Sequence, residues 1–350
     1  MTADDEQGDE DLVAAATREG DEAAFGRLAE RYRGELRVHC YRMLGSYDEA
    51  EDLVQETMLR AWRSRATYRG PSTFRAWLYR IATNACLDLL KRHRRPTVAG
   101  HERTSDGHAP IPPVAVPWLQ PFPDELLEPL ASSVPGADAA VVSRETFELT
   151  FLTAIQLLPP RQRAVLILRD VVGWSAQETA ETLDVSVASV NSALQRARPA
   201  VRDHLPKRRT EWSAPSAPTD DERAVLRRYM EAIERADDDA LATLLRDDVR
   251  VGHQPWAGGH MEPTPGWYSG RETVIAGWAP ILHVDGAPEM RMLPTSANRQ
   301  PALASYIRAP GEPGFEPFAL AVLRMEDGLI AEMSVFHADT FPLFGLPESL

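Results

Sequence analysis

The chain has 350 residues, 43% hydrophobic and 26% charged, with a net charge of −14; that is room for two to three domains of about 150 residues each. No stretch approaches the roughly 20 apolar residues of a membrane-spanning helix, which excludes a helical membrane protein. The N-terminus, MTADDEQGDEDL, is acidic with no charged-then-apolar leader, and two cysteines cannot build a disulfide framework, so a cytoplasmic location is expected.

The negative average argues against nucleic-acid binding, but the charge is segregated. Residues 1–59 sum to −10, 60–95 to +9, 96–140 to −5, 141–210 to +3 and 211–350 to −11. Two positive blocks can neutralise phosphates, and the acidic blocks suit a protein partner.

In chain order, residues 10–95 read as helix. After Gly45 the run Ser46 to Glu49 has the form of a capping box. Behind it Ala50, Leu53, Val54, Thr57 and Ala61 recur at helical spacing, leaving Asp48, Glu51, Asp52, Gln55 and Glu56 on the remaining surface. Past Gly70-Pro71 a second helix carries Phe74, Trp77, Leu78, Ile81, Ala82, Ala85 and Leu89, and its other side presents Arg80, Asn84 and Lys91. Cys40 and Cys86 fall in these apolar patterns as buried thiols, without the spacing of a metal site.

Residues 96–140 are rich in proline and small residues and read as a linker between domains, or as a segment threaded through a partner. Trp118 and Phe122 argue against an inert tether. Residues 141–205 return to helix. Ser175 to Glu178 is a second capping box opening a helix to about Leu183; Asp184-Val185-Ser186 forms a turn, and Ser186 caps a longer helix from Val187. Helix, three-residue turn, helix is a DNA-reading arrangement. Val190, Leu194, Ala197 and Val201 take the buried stripe, which turns Ser192 and Gln195 outward, flanked by Ser189, Asn191, Arg196 and Arg198.

From about Asp220 two amphipathic helices, around Val225 to Ile233 and Leu241 to Leu245, precede strands over 302–308, 317–325 and 329–337. Asp327-Gly328 is the kind of dipeptide that closes a tight hairpin. Helices followed by an antiparallel sheet predict an α+β domain.

These residues carry a resemblance. The run from Asp11 to Arg95, with DEAEDLVQETMLRAWR and FRAWLYRIATNACLDLLKR, resembles region two of extracytoplasmic-function sigma factors. LLPPRQRAVLILRDVVGWSAQETAETLDVSVASVNSALQRAR resembles region four, and NRQPALASYIR with DGLIAEMSVFHADTFPLFGLP is similar to the SnoaL-like domains appended to one subset of them. The two region motifs stand in the correct order with the correct separation, and together the three stretches span nearly the whole chain.

The resemblance implies a multidomain chain: two all-α domains, residues 1–95 as region two and 141–209 as the region-four helix-turn-helix, joined by the 96–140 linker and followed at 220–350 by an α+β, cone-shaped SnoaL-like domain. It implies a promoter-specificity subunit of bacterial RNA polymerase. Asp48, Asp52, Gln55 and Glu56 would grip the clamp helices of the β′ subunit of core polymerase. Tyr68, Arg69, Trp77, Arg80, Asn84 and Lys91 would contact the −10 element of promoter DNA, with the Tyr68 to Ser72 loop as pocket wall and Asn84 reading a flipped base. Trp77 also fits core packing. Ser189, Asn191, Ser192, Gln195, Arg196 and Arg198 would read the −35 element, the arginines serving phosphate as readily as base. The family turn usually carries glycine where this chain has Asp184. In the SnoaL-like domain His253, Trp256, Trp278, Asp285 and His337 are the residues able to line a pocket, whose ligand the sequence does not name. The expectation is a non-enzymatic regulator in cis, with no cofactor, metal or membrane partner. The alternatives are a helix-turn-helix regulator independent of polymerase and a SnoaL-type enzyme tethered to DNA.

Overall fold

The structure, a computed structural model, describes residues 13, 15–68, 74–93, 95, 111–127, 146–205 and 218–350. Arg69 and the 70–72 loop lie outside the described residues. The chain divides into two compact units, the first made of residues 1–97, 125–146 and 154–205, the second of residues 98–124, 147–153 and 206–350.

The first unit is helical. Helix α1 (Glu22–Leu44) starts where the Asp21 carboxylate accepts from the backbone N–H groups of Ala23 and Ala24, and ends at Gly45, whose φ of 74° closes the helix without a Cβ clash. Helix α2 (Tyr47–Ser64) is capped by the Ser46 hydroxyl, which accepts from Glu49 N–H at 3.3 Å. The capping box is only half formed, because the Glu49 carboxylate pairs with Arg95 instead. The buried stripe of α2 is Ala50, Leu53, Val54, Thr57 and Ala61, as the spacing predicts. Helix α3 (Phe74–Arg92) buries a wider arc than one stripe, adding Tyr79, Thr83, Cys86 and Leu90 while Trp77, Ile81 and Leu89 stay half-buried. It is packed on two sides: the Tyr79 ring stands 4.7 Å from His39 of α1 and 5.1 Å from Trp174.

Helices α4 (Leu149–Gln156), α5 (Pro160–Leu166, continued by a π-helical turn Ile167–Val171), α6 (Ala176–Leu183) and α7 (Val187–Arg202) follow. The carbonyls that end α1 are taken up from this part of the chain. Gln156 Nε2 donates to Arg42 O at 2.9 Å, and the buried Arg163 guanidinium donates to Met43 O, Gln156 Oε1 and the carbonyls of Gln156 and Leu158. A cation suits the negative end of the α1 dipole, and burial pulls the pKa of both Arg42 and Arg163 down to about 9.

Ser175 makes the full reciprocal capping box with Glu178, and Ser186 caps α7 through Ser189 N–H. Between them Asp184 adopts the left-handed conformation, φ 52° and ψ 54°, so the turn keeps its geometry without glycine, at the steric cost of an aspartate there.

In the second unit α8 (Asp220–Glu234, opened by a Thr219–Glu222 capping box) and α9 (Asp238–Leu244) lead into β1 (Leu245–His253) and β2 (Gly266–Ser269), then α10 (Arg271–Leu282), β3 (Glu289–Ala297), β4 (Gln300–Arg308), β5 (Glu316–Glu326) and β6 (Leu329–His337). The sheet order is β2-β1-β6-β5-β4-β3. It is mixed, not antiparallel as expected: β1 runs parallel to β6, because the chain builds β2, α10 and β3 to β5 before β6 returns beside β1. Asp327 and Gly328, at φ 53° and 76°, close the β5–β6 hairpin as the dipeptide predicts.

Both faces of this sheet are buried. Val251, Leu303, Ala321, Met333 and Val335 pack with Tyr229 and Ile233 of α8 on one face. On the other, Ala302, Ala304, Leu320, Val322 and Phe336 are buried as well. Much of the cover comes from the stretch read as linker. Its described part forms a 3-10 turn at Pro113–Ala115, packs Val114 against Gly252, accepts at Leu119 O from Gln254 Nε2, and buries Val116, Leu119 and Phe122 completely.

Two predictions follow from the first unit. His39 is fully buried, its Nε2 is 2.8 Å from Thr83 Oγ1, and burial, then Arg42 and Arg75, lower its pKa to about 3. Below pH 6.5 the unfolded chain binds a proton that the folded chain refuses, so stability falls by about 1.4 kcal/mol per pH unit. Urea denaturation at pH 6.5 and 5 should differ by about 2 kcal/mol more in the parent than in His39→Gln; equal differences would show that His39 is not buried neutral. At the turn, Asp184→Gly should stabilise by about 0.5–1 kcal/mol and Asp184→Val destabilise by about 1–2 kcal/mol, whereas three identical unfolding midpoints would rule out the left-handed backbone.

Candidate nucleic-acid interface

Three exposed helical faces carry the predicted residues of the first unit. On α2, Asp48, Asp52 and Gln55 are exposed and Glu56 half-exposed, spaced by four, three and one so that they share one side of the helix. Glu56 accepts from Arg60 Nε at 2.7 Å, which lowers its pKa. The series continues to Leu59, half of whose surface is in water. Leu59 belongs neither to the apolar stripe nor to the polar face that the sequence predicts for α2; its place four residues after Gln55 is the signal that could have found it.

On α3, Arg80, Asn84 and Lys91 are exposed and spaced by four and seven, again one side. Trp77, one turn before Arg80, is half-buried with its ring 5.4 Å from Phe74 and 5.7 Å from Tyr68. It is therefore both a packing residue and an accessible one, with Tyr68 beside it. Not all of the positive block is available to a ligand. Arg75 donates Nε to Glu35 at 2.6 Å, Arg95 pairs with Glu49, Arg60 bridges Glu56 and Asp88, and Arg65 lies 4.0 Å over the Trp62 ring. What remains outward includes Arg63, Arg80 and Lys91.

On α7 the apolar positions Val190, Ala193, Leu194, Ala197 and Val201 are buried. Ser189, Asn191, Ser192, Gln195, Arg196 and Arg198 are all exposed. Asn191, Ser192, Gln195 and Arg196 present amide, hydroxyl and guanidinium groups of the kinds that meet base edges and phosphates. Arg198 differs: it makes a bidentate pair with Asp170, at 2.9 and 2.8 Å. Ser189 is also engaged, its hydroxyl 2.8 Å from that of Ser186.

In the second unit a cavity of about 20 Å³, room for one or two waters, is lined by Tyr229, Val251, His253, Trp278, Leu303 and Ser305 among others. His253 Nδ1 lies 3.2 Å from Ala257 O, and the ring stacks 5.9 Å from Tyr268. Burial lowers the pKa of His253. Of the five predicted pocket residues only His253 and Trp278 reach the cavity. Trp256 is 53% exposed on a left-handed backbone, Asp285 is exposed in the turn after α10, and His337 accepts from Asp339 N–H to start the turn after β6. Side chains of one strand alternate between faces and loop residues leave the sheet altogether, which spacing alone does not resolve. Among the described residues no cluster of three His, Cys, Asp or Glu could hold a metal ion, and no helix is long and apolar enough to cross a membrane.

The chain is matched by the families Sigma-70 region 2 over residues 28–96, Sigma-70, region 4 over 148–200, and SnoaL-like domain over 226–333. It is 40% identical to the ECF RNA polymerase sigma factor SigG of Mycobacterium tuberculosis over 344 residues, 96% of this chain and 86% of that one. With the ECF RNA polymerase sigma factor SigE of Mycolicibacterium smegmatis it shares 33% over 195 residues, 55% of this chain and 66% of that one. Among solved structures, the extracytoplasmic function sigma factor SigJ of Mycobacterium tuberculosis has the same fold, with a TM-score of 0.57 and 21% identity, covering 92% of this chain and all but 1% of the other. Two sigma modules in order, a C-terminal α+β domain and similarity along almost the entire length make the chain a member of the extracytoplasmic-function sigma factor family.

Proposed function

We propose that the chain binds core RNA polymerase in the cytoplasm, directs it to promoters and starts transcription there, with the C-terminal domain modulating that activity in cis. The observation that carries this reading is the pairing, within one chain of net charge −14, of two exposed polar and basic helix faces with a separate acidic one. A repressor needs the first kind of face only. Asp48, Asp52, Gln55 and Glu56, with Leu59 as an apolar anchor at the end of the row, suit a basic protein surface such as the clamp helices of the β′ subunit. The charges set approach and register, and the leucine contributes desolvated contact.

Tyr68, Trp77, Arg80, Asn84 and Lys91 suit the −10 element: the cations hold phosphates, and the aromatic pair beside an exposed carboxamide provides stacking and an edge for an unstacked base. Arg69, beyond the described residues, belongs to this set by sequence. Ser189, Asn191, Ser192, Gln195 and Arg196 suit major-groove reading of the −35 element. Arg198 serves it chiefly by holding α7 to Asp170. The C-terminal domain is read as a regulator in cis, its cavity lined chiefly by apolar side chains around Tyr229 and His253.

Run-off transcription with purified core polymerase, on fragments recovered from cells overproducing the chain, checks this reading. Asp52→Lys and Leu59→Asp should each lower initiation at least tenfold while leaving far-ultraviolet circular dichroism unchanged. Asn84→Ala should weaken opening, and Gln195→Ala closed-complex binding, by about 1–3 kcal/mol each. Sequence-specific binding and regulation by the chain without core polymerase, with no initiation in its presence, would favour the simple regulator instead.

A further inference from the structure

The rotation of α3 about its own axis is fixed from α1. Along α1, Tyr32, Glu35 and His39 follow at spacings of three and four and so share one side of the helix. Each meets a partner on α3. The Tyr32 ring stands 5.8 Å from Phe74, and His39 has Nε2 2.8 Å from Thr83 Oγ1 and its ring 4.7 Å from Tyr79. Between them one carboxylate oxygen, Glu35 Oε1, accepts from Arg75 Nε at 2.6 Å, from Arg75 Nη2, and from the Tyr79 hydroxyl at 2.7 Å. Tyr79 is fully buried and the Glu35 side chain is 17% exposed, so these charge-assisted bonds are largely shielded from water. The Arg75 guanidinium also stands 5.3 Å from the centre of the Tyr79 ring.

Arg75 and Tyr79 are one turn apart, and Thr83 continues the same side of α3, whereas Trp77, Arg80, Asn84 and Lys91 lie on the other. Any rotation of α3 therefore moves the whole outward row together. Apolar packing is non-directional and resists rotation weakly. A guanidinium fork and a phenol that meet at a single oxygen are directional and set both rotation and register. Glu35 is itself on a fixed helix: two residues on, on the opposite side of α1, Arg37 pairs with Glu51 of α2. The cluster ties α3 to the α1–α2 pair within the very turn that carries Trp77.

We propose that Glu35 is a positioning residue for promoter melting: by holding Arg75 and Tyr79 it sets the angle at which Trp77 and Asn84 receive the unstacked base of the −10 element. It acts only through α3, from the side away from that base, and the role rests on the sigma-factor reading above. A ring and a carboxamide recover the cost of unstacking only when stacking distance and hydrogen-bond angle are met together. A turned helix loses that match, while the long side chains of Arg80 and Lys91 still follow their phosphates.

The experiment uses the full chain with core polymerase, on a promoter recovered as above and on copies in which each non-template base of the −10 element in turn is replaced by an abasic site. At one position the parent should bind about tenfold more weakly when the base is missing. Glu35→Ala should bind the intact promoter about as weakly as the parent binds that abasic copy, and lose nothing further on the abasic copy. Combined with Asn84→Ala it should be no weaker than Asn84→Ala alone. Glu35→Gln, which keeps an acceptor for Tyr79 and Arg75, should restore most of the discrimination. A merely less stable variant would weaken both DNAs alike and keep the parent's ratio, and that result overturns the proposal. A second measurement needs no DNA: the fluorine resonance of Trp77 in fluorotryptophan-labelled chain, assigned through Trp77→Phe, should shift in Glu35→Ala and return in Glu35→Gln. An unmoved resonance overturns the positioning role. If the parent is indifferent to every base, the melting role falls with the −10 reading itself, and the fluorine shift still decides whether Glu35 sets Trp77.

Discussion

A six-stranded sheet with apolar side chains on both faces must be covered twice, and the organisation of the second unit follows from that requirement. One face is met by α8, α9 and α10, through Tyr229, Ile233, Leu241 and Val274. The other receives none of these three helices. It is closed by chain drawn from between the two sigma modules and by the turn Ala338–Phe344, which sets Phe341 against Tyr306. Burying side chains of this size is favourable by roughly 1.5–3 kcal/mol each, so Val114, Val116, Leu119, Phe122 and Phe147 offset part of the cost of ordering the stretch around them. The same face also holds Glu332, nearly inaccessible, between Arg250 at 2.7 Å and Arg324 at 3.1 Å. Burial pushes the Glu332 pKa up, and the two guanidinium groups more than offset it, leaving it lowered.

In the first unit the corresponding constraint is the end of α1. Its final carbonyls would be orphaned in the interior, and they are satisfied by Gln156 and Arg163 from a segment more than a hundred residues later. Arg163 has no carboxylate beside it among the groups it donates to; carbonyl oxygens and the helix dipole hold its charge. The arrangement joins α1 to α5, and with the Tyr79–Trp174 contact it makes the helices of both sigma modules one packed unit. Arginines in this chain therefore do several jobs. Arg42 and Arg163 are interior fasteners, Arg60, Arg75, Arg95 and Arg198 are tied to carboxylates, and Arg63, Arg80 and Arg196 remain outward.

Much of this was legible in the residues. The serine caps, the Asp327-Gly328 hairpin and the stripes of α2 and α7 are local, fixed by backbone chemistry within four residues of each other, and the structure places them where spacing does. Departures arise where a partner is distant in sequence. Glu49 leaves its capping box for Arg95, α3 buries a wider arc because α1 and Trp174 flank it, and β1 pairs in parallel with a strand some eighty residues away. The pocket residues divided for the same reason. His253 and Trp278 lie on a strand and a helix facing the cavity, whereas Trp256 and Asp285 belong to turns and His337 ends β6, capping the segment after it.

By itself the sequence determined the helical modules, their charge, the exposed rows on α2, α3 and α7 and the α+β character of the last block, since periodicity and capping are properties of neighbouring residues. Tertiary structure alone decided that a proline-rich stretch belongs to a sheet face, that Glu35 gathers Arg75 and Tyr79, and which arginines stay free. Those outcomes depend on which buried groups find partners, and a buried donor or acceptor takes its partner from whatever the fold brings near.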